Sequence, residues 1–156
     1  MKKLILTGLI FALSVIMAFA SSTVHGPQKI QGGGYRMWID WEADGSTFAD
    51  TSITQDNANA LITLEGYWLS DIKVVPGTTG PTENSDLTIT NGGTDILGGN
   101  GSNIVDNTGS GFCKPYGSNG DAQYQITGPE DALIFNIDNN AVSGASVTIY
   151  IGFDKP

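Results

Sequence analysis

The sequence is poor in the residues from which most enzyme and nucleic-acid sites are built. Its 156 residues include one cysteine and one histidine, and seven lysines and arginines stand against 16 carboxylates, a formal charge of -9. One Cys and one His exclude a disulfide framework and a Cys/His zinc site. With His25 as the sole imidazole, most nucleophile and acid–base schemes lose their usual proton carrier. The cations are few and scattered along the chain, so they give no basic field for gathering phosphates, which argues against nucleic acid as a partner. A Gly-x-Ser-x-Gly nucleophile elbow is missing. So is any repeat of fixed period, which argues against a solenoid or propeller.

What is present begins with an export signal. Met1-Lys2-Lys3 is a positive start, Leu4 to Ala20 is a nearly unbroken apolar run, and Ala18-Phe19-Ala20 has the small-x-small form read by signal peptidase. Residues 1–20 therefore read as a signal peptide, with an uncleaved membrane anchor as the alternative, since the run sits at the short end of what spans a bilayer. Ser21 follows the cut, so lipoprotein anchoring through a cysteine there is excluded. The chain that remains keeps Lys29, Arg36, Lys73, Lys114 and Lys155 against all 16 carboxylates, a net charge of -11. That charge favours solubility and contact with cations, and the signal peptide implies an exported, periplasmic or extracellular location.

Residues 21–34 are polar, contain His25 and Pro27, and end in Gly32-Gly33-Gly34, which predicts a flexible lead-in. A single domain is expected over 35–156. Sixteen glycines lie between Gly45 and Gly152, interleaved with Asn, Asp, Ser and Thr, so turns are frequent and helices have little room. Between the turns, apolar residues alternate. Tyr35, Met37, Ile39 and Trp41 form one face of a strand; Trp68, Ile72 and Val74 form the inner face of another, ended by Pro76-Gly77. Asp86 to Thr90 is a short strand closed by the hairpin signal Asn91-Gly92-Gly93. Leu133, Phe135 and Ile137 alternate, as do Val147, Ile149, Ile151 and Phe153. Shorter candidates lie at Ala60 to Leu64, Asn103 to Asp106 and Ala122 to Ile126, with a turn or two of helix over Asp56 to Leu64 as the competing reading. About eight short strands predict an all-β, antiparallel sandwich, with a jelly roll as one form of it.

The middle of the chain also has a recognisable order of features. The aromatic-led strand Gly66-Tyr67-Trp68-Leu69 runs to Val75-Pro76-Gly77. Pro81-Thr82, Asp86-Leu87-Thr88-Ile89-Thr90 and Gly93-Thr94-Asp95-Ile96-Leu97-Gly98-Gly99 follow, and the chain closes on Gly144 and Val147-Thr148-Ile149-Tyr150-Ile151. This order resembles small β-sandwich proteins encoded among the head and tail genes of tailed bacteriophages and prophages, which act as accessory virion proteins. The resemblance spans roughly Tyr35 to Phe153. It departs from the pattern at Ser85, where an aromatic is expected, and in having an export signal. It implies a virion-associated structural protein.

Several residues are candidates for chemistry. Gly98-Gly99-Asn100-Gly101-Ser102-Asn103-Ile104-Val105-Asp106 fits one copy of the calcium-binding nonapeptide of β-rolls. Asp95, Asn100, Asn103 and Asp106 are therefore candidate calcium ligands, the competing reading being a Gly-Asn loop chosen for backbone freedom. Asp40 and Glu42 share a strand face, the minimum condition for a glycosidase-type carboxylate pair, although a solvated strand edge explains them better. Glu130 and Asp131 read as a solvated turn. Cys113 reads as a small buried hydrophobe, or else as an unpaired thiol. On the assigned faces Trp38, Tyr67 and Tyr150 point outward from three strands, as on sugar-binding or protein-docking surfaces, unless they pair across strands or lie under a loop such as Thr78 to Ser85.

The reading that follows is a non-enzymatic β-sandwich acting through protein partners or self-assembly. Its rival is an exported glycan-binding module with calcium as a structural ion, and a small hydrolase using carboxylates alone is a third. Membrane contact is expected only through the N-terminal segment if it stays uncleaved.

Overall fold

The computed structural model describes residues 20–54, 63–116, 123–128 and 132–155. The expected signal segment and most of the helical alternative at Asp56 to Leu64 lie outside these residues, as do Glu130 and Asp131. The described residues form ten antiparallel strands in two sheets: β1 (Ser21–Lys29), β2 (Tyr35–Glu42), β3 (Thr51–Ile53), β4 (Trp68–Pro76), β5 (Asp86–Asn91), β6 (Thr94–Asp95), β7 (Gly111–Cys113), β8 (Tyr124–Gln125), β9 (Leu133–Asp138) and β10 (Ser146–Asp154). The larger sheet runs β1-β2-β10-β4-β7, with β8 also on β4, and the smaller runs β3-β9-β5-β6. This is the expected all-β sandwich.

Alternation sets the layers. In β2, Met37, Ile39 and Trp41 are buried; in β10 the buried set is Val147, Ile149, Ile151 and Phe153. They meet Leu87 and Ile89 of β5, and Leu133, Phe135 and Ile137 of β9, in one core cluster. Burial of these side chains, at about 25 cal/mol per Å² of apolar surface, is what holds the two sheets together. Strand β10 lies at the centre, pairing with β2 along Ser146 to Phe153 and with β4 along Val147 to Asp154. The hairpin signal at Asn91-Gly92-Gly93 forms as read: Gly92 and Gly93 both have positive φ, and Asn91 pairs with Thr94 across them. Ser85 is fully buried, and its hydroxyl donates to the Thr82 carbonyl at 2.8 Å while its backbone bridges Val105. A small residue that satisfies its own hydroxyl fits there, which accounts for the missing aromatic.

Two expectations change. The flexible lead-in is instead the nine-residue edge strand β1, paired with β2 from Ser21 to Lys29. Its composition is polar because an edge strand is held mainly by backbone hydrogen bonds and has little to bury; Val24 is the apolar side chain it packs on the core. Gly26 and Pro27 bulge out of the ladder between His25 and Gln28, which twists the strand and blunts the exposed edge. In β4 the register slips by one residue at Ser70, because Gly152 faces Asp71 but Phe153 faces Leu69. The slip reverses the alternation, so Leu69 takes the core place expected of Trp68. Of the shorter strand candidates, Ala122 to Ile126 contributes β8, and Asn103 to Asp106 supplies only the bridge at Val105.

Since β10 is flanked on both sides and β1 is an edge, Ile149→Ala should lower the unfolding free energy by about 2–5 kcal/mol. Val24→Ala should cost about 1 kcal/mol or less. Urea unfolding of the two variants checks this, and equal losses would contradict a core centred on β10.

Candidate functional site

Residues directly opposite in an antiparallel pair project to the same side of the sheet, so the register of the larger sheet dictates its outer face. One row crosses five strands: His25 of β1 faces Trp38 of β2, Trp38 faces Tyr150 of β10, Tyr150 faces Lys73 of β4, and Lys73 faces Phe112 of β7. The row is knit by ring contacts at both ends. His25 stacks on Trp38 with centroids 5.0 Å apart and planes 11° from parallel. The Lys73 ammonium lies 5.3 Å from the centre of the Phe112 ring, within cation–π range. Trp38 and Tyr150 are half-buried, while Phe112 is 66% exposed.

Polar residues flank the row on both sides. On one side Thr23, Asp40 and Thr148 face one another; the Asp40 carboxylate accepts from the Thr148 hydroxyl at 2.8 Å and lies 3.0 Å from His25 Nε2. On the other side Gln28, Arg36, Gly152 and Asp71 form the next row. A Cβ on Gly152 would collide with the Asp71 carboxylate, so the bare glycine lets that side chain lie across β10. Arg36, Asp71, Lys73, Val75, Phe112 and Tyr150 line a shallow depression of about 350 Å³. Beyond Phe112 lies a second depression of about 450 Å³, lined by Asp71, Asn100, Phe112, Cys113 and Lys114. Phe112 is the wall they share.

Of the three outward aromatics expected, the structure brings Trp38 and Tyr150 together and removes Tyr67. The slip at Ser70 places Tyr67 against the core edge, where it meets Tyr35 edge-on at 5.1 Å. His25, read as a linker residue, is instead part of the row. Phe112 and Lys73 were missed. The sequence carries no periodic signal for Phe112, which stands in a three-residue strand between glycine-rich turns.

Three of the four calcium-loop side chains, Asp95, Asn100 and Asp106, make hydrogen bonds to backbone groups of the surrounding turns. Asp95 accepts from the backbone N–H groups of Leu97 and Gly99, both at 2.9 Å, and Asp106 accepts from Asn107 and Thr108. The Asn100 amide donates to the Lys114 carbonyl, and Asn103, at φ 57°, donates its N–H to Asp86. These are turn-stabilising bonds, which favours the Gly-Asn loop reading. Among the described residues no group of three or more His, Cys, Asp or Glu side chains is arranged to hold a metal ion. In the Asp40 group the Thr148 hydroxyl donates to the carboxylate and not to the imidazole.

Cys113 is buried, and its thiol is pushed up to about 12, first by burial and then by the negative charge of Asp95. It is a packing residue in the thiol form. No family model and no curated protein matches the sequence. Among solved structures, a chain titled "Cyanophage Pam1 capsid asymmetric unit" is similar over 99% of this chain and 94% of its own, with a TM-score of 0.46 and 13% identity.

With its folded pKa raised, Cys113 contributes stability that is whole below its ordinary pKa of 9.0 and is lost as pH rises toward about 12. Iodoacetamide at about pH 8 should therefore leave the folded chain unmodified for hours and label it promptly in urea. Prompt labelling of the folded chain would contradict the buried thiol.

Proposed function

We propose that the protein is a non-enzymatic structural component, an accessory protein of a phage particle, which works by protein–protein contact through the outer face of its larger sheet. The observation that carries this reading is the row His25, Trp38, Tyr150, Lys73 and Phe112, aligned across five strands on one open face. Aromatic rings with arginine beside them, here Trp38, Tyr150 and Phe112 with Arg36 in the next row, have the composition of contact-surface centres, and a rigid sheet holds them at low entropic cost. The exposed Phe112 ring, with its own lysine beside it, is the natural anchor. The order of turns and strands shared with phage accessory proteins supports the particle as the setting.

The glycan-binding alternative is less well served by the same geometry. A sugar stacks on the open face of an aromatic ring, and one face of Trp38 is taken by His25. The hydrolase alternative fares worse, since Asp40 is held by His25 and Thr148.

The test is co-sedimentation of the tagged chain, expressed in its own host, with large assemblies on a density gradient. Wild type should travel with particles. Phe112→Ser should shift it to the free fraction with little change in Tm, because that ring is 66% exposed on the outer face. A wild-type chain found only in the free fraction, together with loss of carbohydrate-array binding in Trp38→Ala, would transfer the assignment to the glycan reading.

A further inference from the structure

An open sheet edge offers a row of unpaired backbone N–H and C=O groups to another chain, and proteins close such edges with very short strands, bulges, prolines or charges. Three of the four edges of this sandwich are closed in that way. Among the described residues the larger sheet ends on one side in β7 and β8, of three and two residues, and the smaller sheet ends in β3 and β6, also of three and two. The fourth edge is β1, nine residues long and paired with β2 alone. Its second half is blunted by the bulge at Gly26 and Pro27 and by Lys29. Its first half, Ser21 to His25, pairs with β2 without a break and holds no proline, glycine, lysine or carboxylate. Within it Ser22 and Val24 face the buried Trp41 and Ile39, and so lie on the core side. There a depression of about 480 Å³ opens between the edges of the two sheets, lined by Ser22, Thr23, Val24, Asp50, Thr51 and Ser52.

We infer that Ser21 to His25 is a site of strand addition whose occupant is the same strand of a second copy, antiparallel to it, so that two larger sheets join into one across a two-fold axis at Thr23. Register selects the copy. With Thr23 facing Thr23 of the second copy, Ser22 faces its Val24 and Ser21 its His25, and all five unbulged residues of both strands are used. The smallest slip that keeps core-side residues on the core side is two residues, and it leaves three pairs within this stretch. Charge permits the same pairing. No charged carboxylate or lysine meets its own kind at the seam, and the nearest carboxylates on the axis row, Asp40 of each copy, stand three strand spacings apart, about 14 Å. That exceeds the Debye length of about 8 Å at 0.15 M salt, so a chain of charge -9 meets itself here with little repulsion. On the core side, Val24 of each copy lies over the depression of the other and adds an apolar contact. An axis normal to the sheet keeps both outer faces on one side, so the pair displays two copies of the row from His25 to Phe112 on a single continuous surface.

The inference rests on the edge and not on the row, and is tested apart from the contact reading. A five-residue strand pair is small, so association is weak, with Kd on the order of 10–500 µM. Sedimentation velocity of the purified chain over about 5–500 µM should show a monomer–dimer equilibrium. Thr23→Glu and Thr23→Lys each set like charges opposite one another on the axis and should each weaken association about fivefold, while their equimolar mixture should regain it. That rescue itself shows both variants folded. Thr23→Cys under mild oxidant should give a disulfide-linked dimer, since directly opposed Cα atoms stand about 4.5–5.5 Å apart, whereas the equally exposed Gln28→Cys on the bulged half should not. Phe112→Ser, on the far edge of the sheet, should associate as wild type does. A wild type that stays monomeric across the range overturns the inference, as does equal cross-linking of the two cysteine variants. Loss of association in Phe112→Ser, with none in the Thr23 variants, would move the contact from the edge to the outer face and overturn it too.

Discussion

The register of β10 against its two neighbours is the constraint on which the rest of this structure depends. One set of backbone hydrogen bonds, from Ser146 to Phe153 against β2 and from Val147 to Asp154 against β4, fixes both sides of the sheet at once. Inward it aligns Val147, Ile149, Ile151 and Phe153 with the buried residues of β2 and β4. Outward it places Tyr150 between Trp38 and Lys73. Because side chains alternate with a period of two, a slip by one residue would empty the core and dismantle the outer row together. Core and outer row are therefore specified by the same hydrophobic pattern.

Much of the core was legible for this reason. Alternation in Tyr35 to Trp41, in Leu133 to Ile137 and in Val147 to Phe153 states which face is buried without reference to any partner strand. The Asn91-Gly92-Gly93 turn was legible because positive φ restricts the residues that can occupy it. Strand β1 was not. It buries little, so its composition is that of a linker, and only its backbone pairing with β2 makes it a strand. Trp68 and Tyr67 were misplaced because the extra residue at Ser70 inverts the alternation, and a bulge leaves no mark in a pattern that reads smoothly on either side of it.

The outer row was half legible. Trp38 and Tyr150 follow from alternation alone, whereas their alignment with His25, Lys73 and Phe112 depends on strand order. That order places β1 and β7, far apart in sequence, at opposite edges of one sheet. The cations behave in the same way. Along the chain Arg36, Lys73 and Lys114 look scattered, and the topology gathers them around Phe112. Such a patch, with Asp71 inside it, overturns the premise that the cations are scattered.

The central claim is that this row is the surface the protein uses. Hydroxyl-radical footprinting, comparing the isolated chain with the chain in its assembled state, tests it most directly, because aromatic rings are both the reporters and the proposed anchors. The account predicts protection at Phe112, Tyr150 and Trp38, with Tyr116, itself 55% exposed but outside the row, reacting equally in both states. Protection at Tyr116 with Phe112 and Tyr150 unchanged would contradict it.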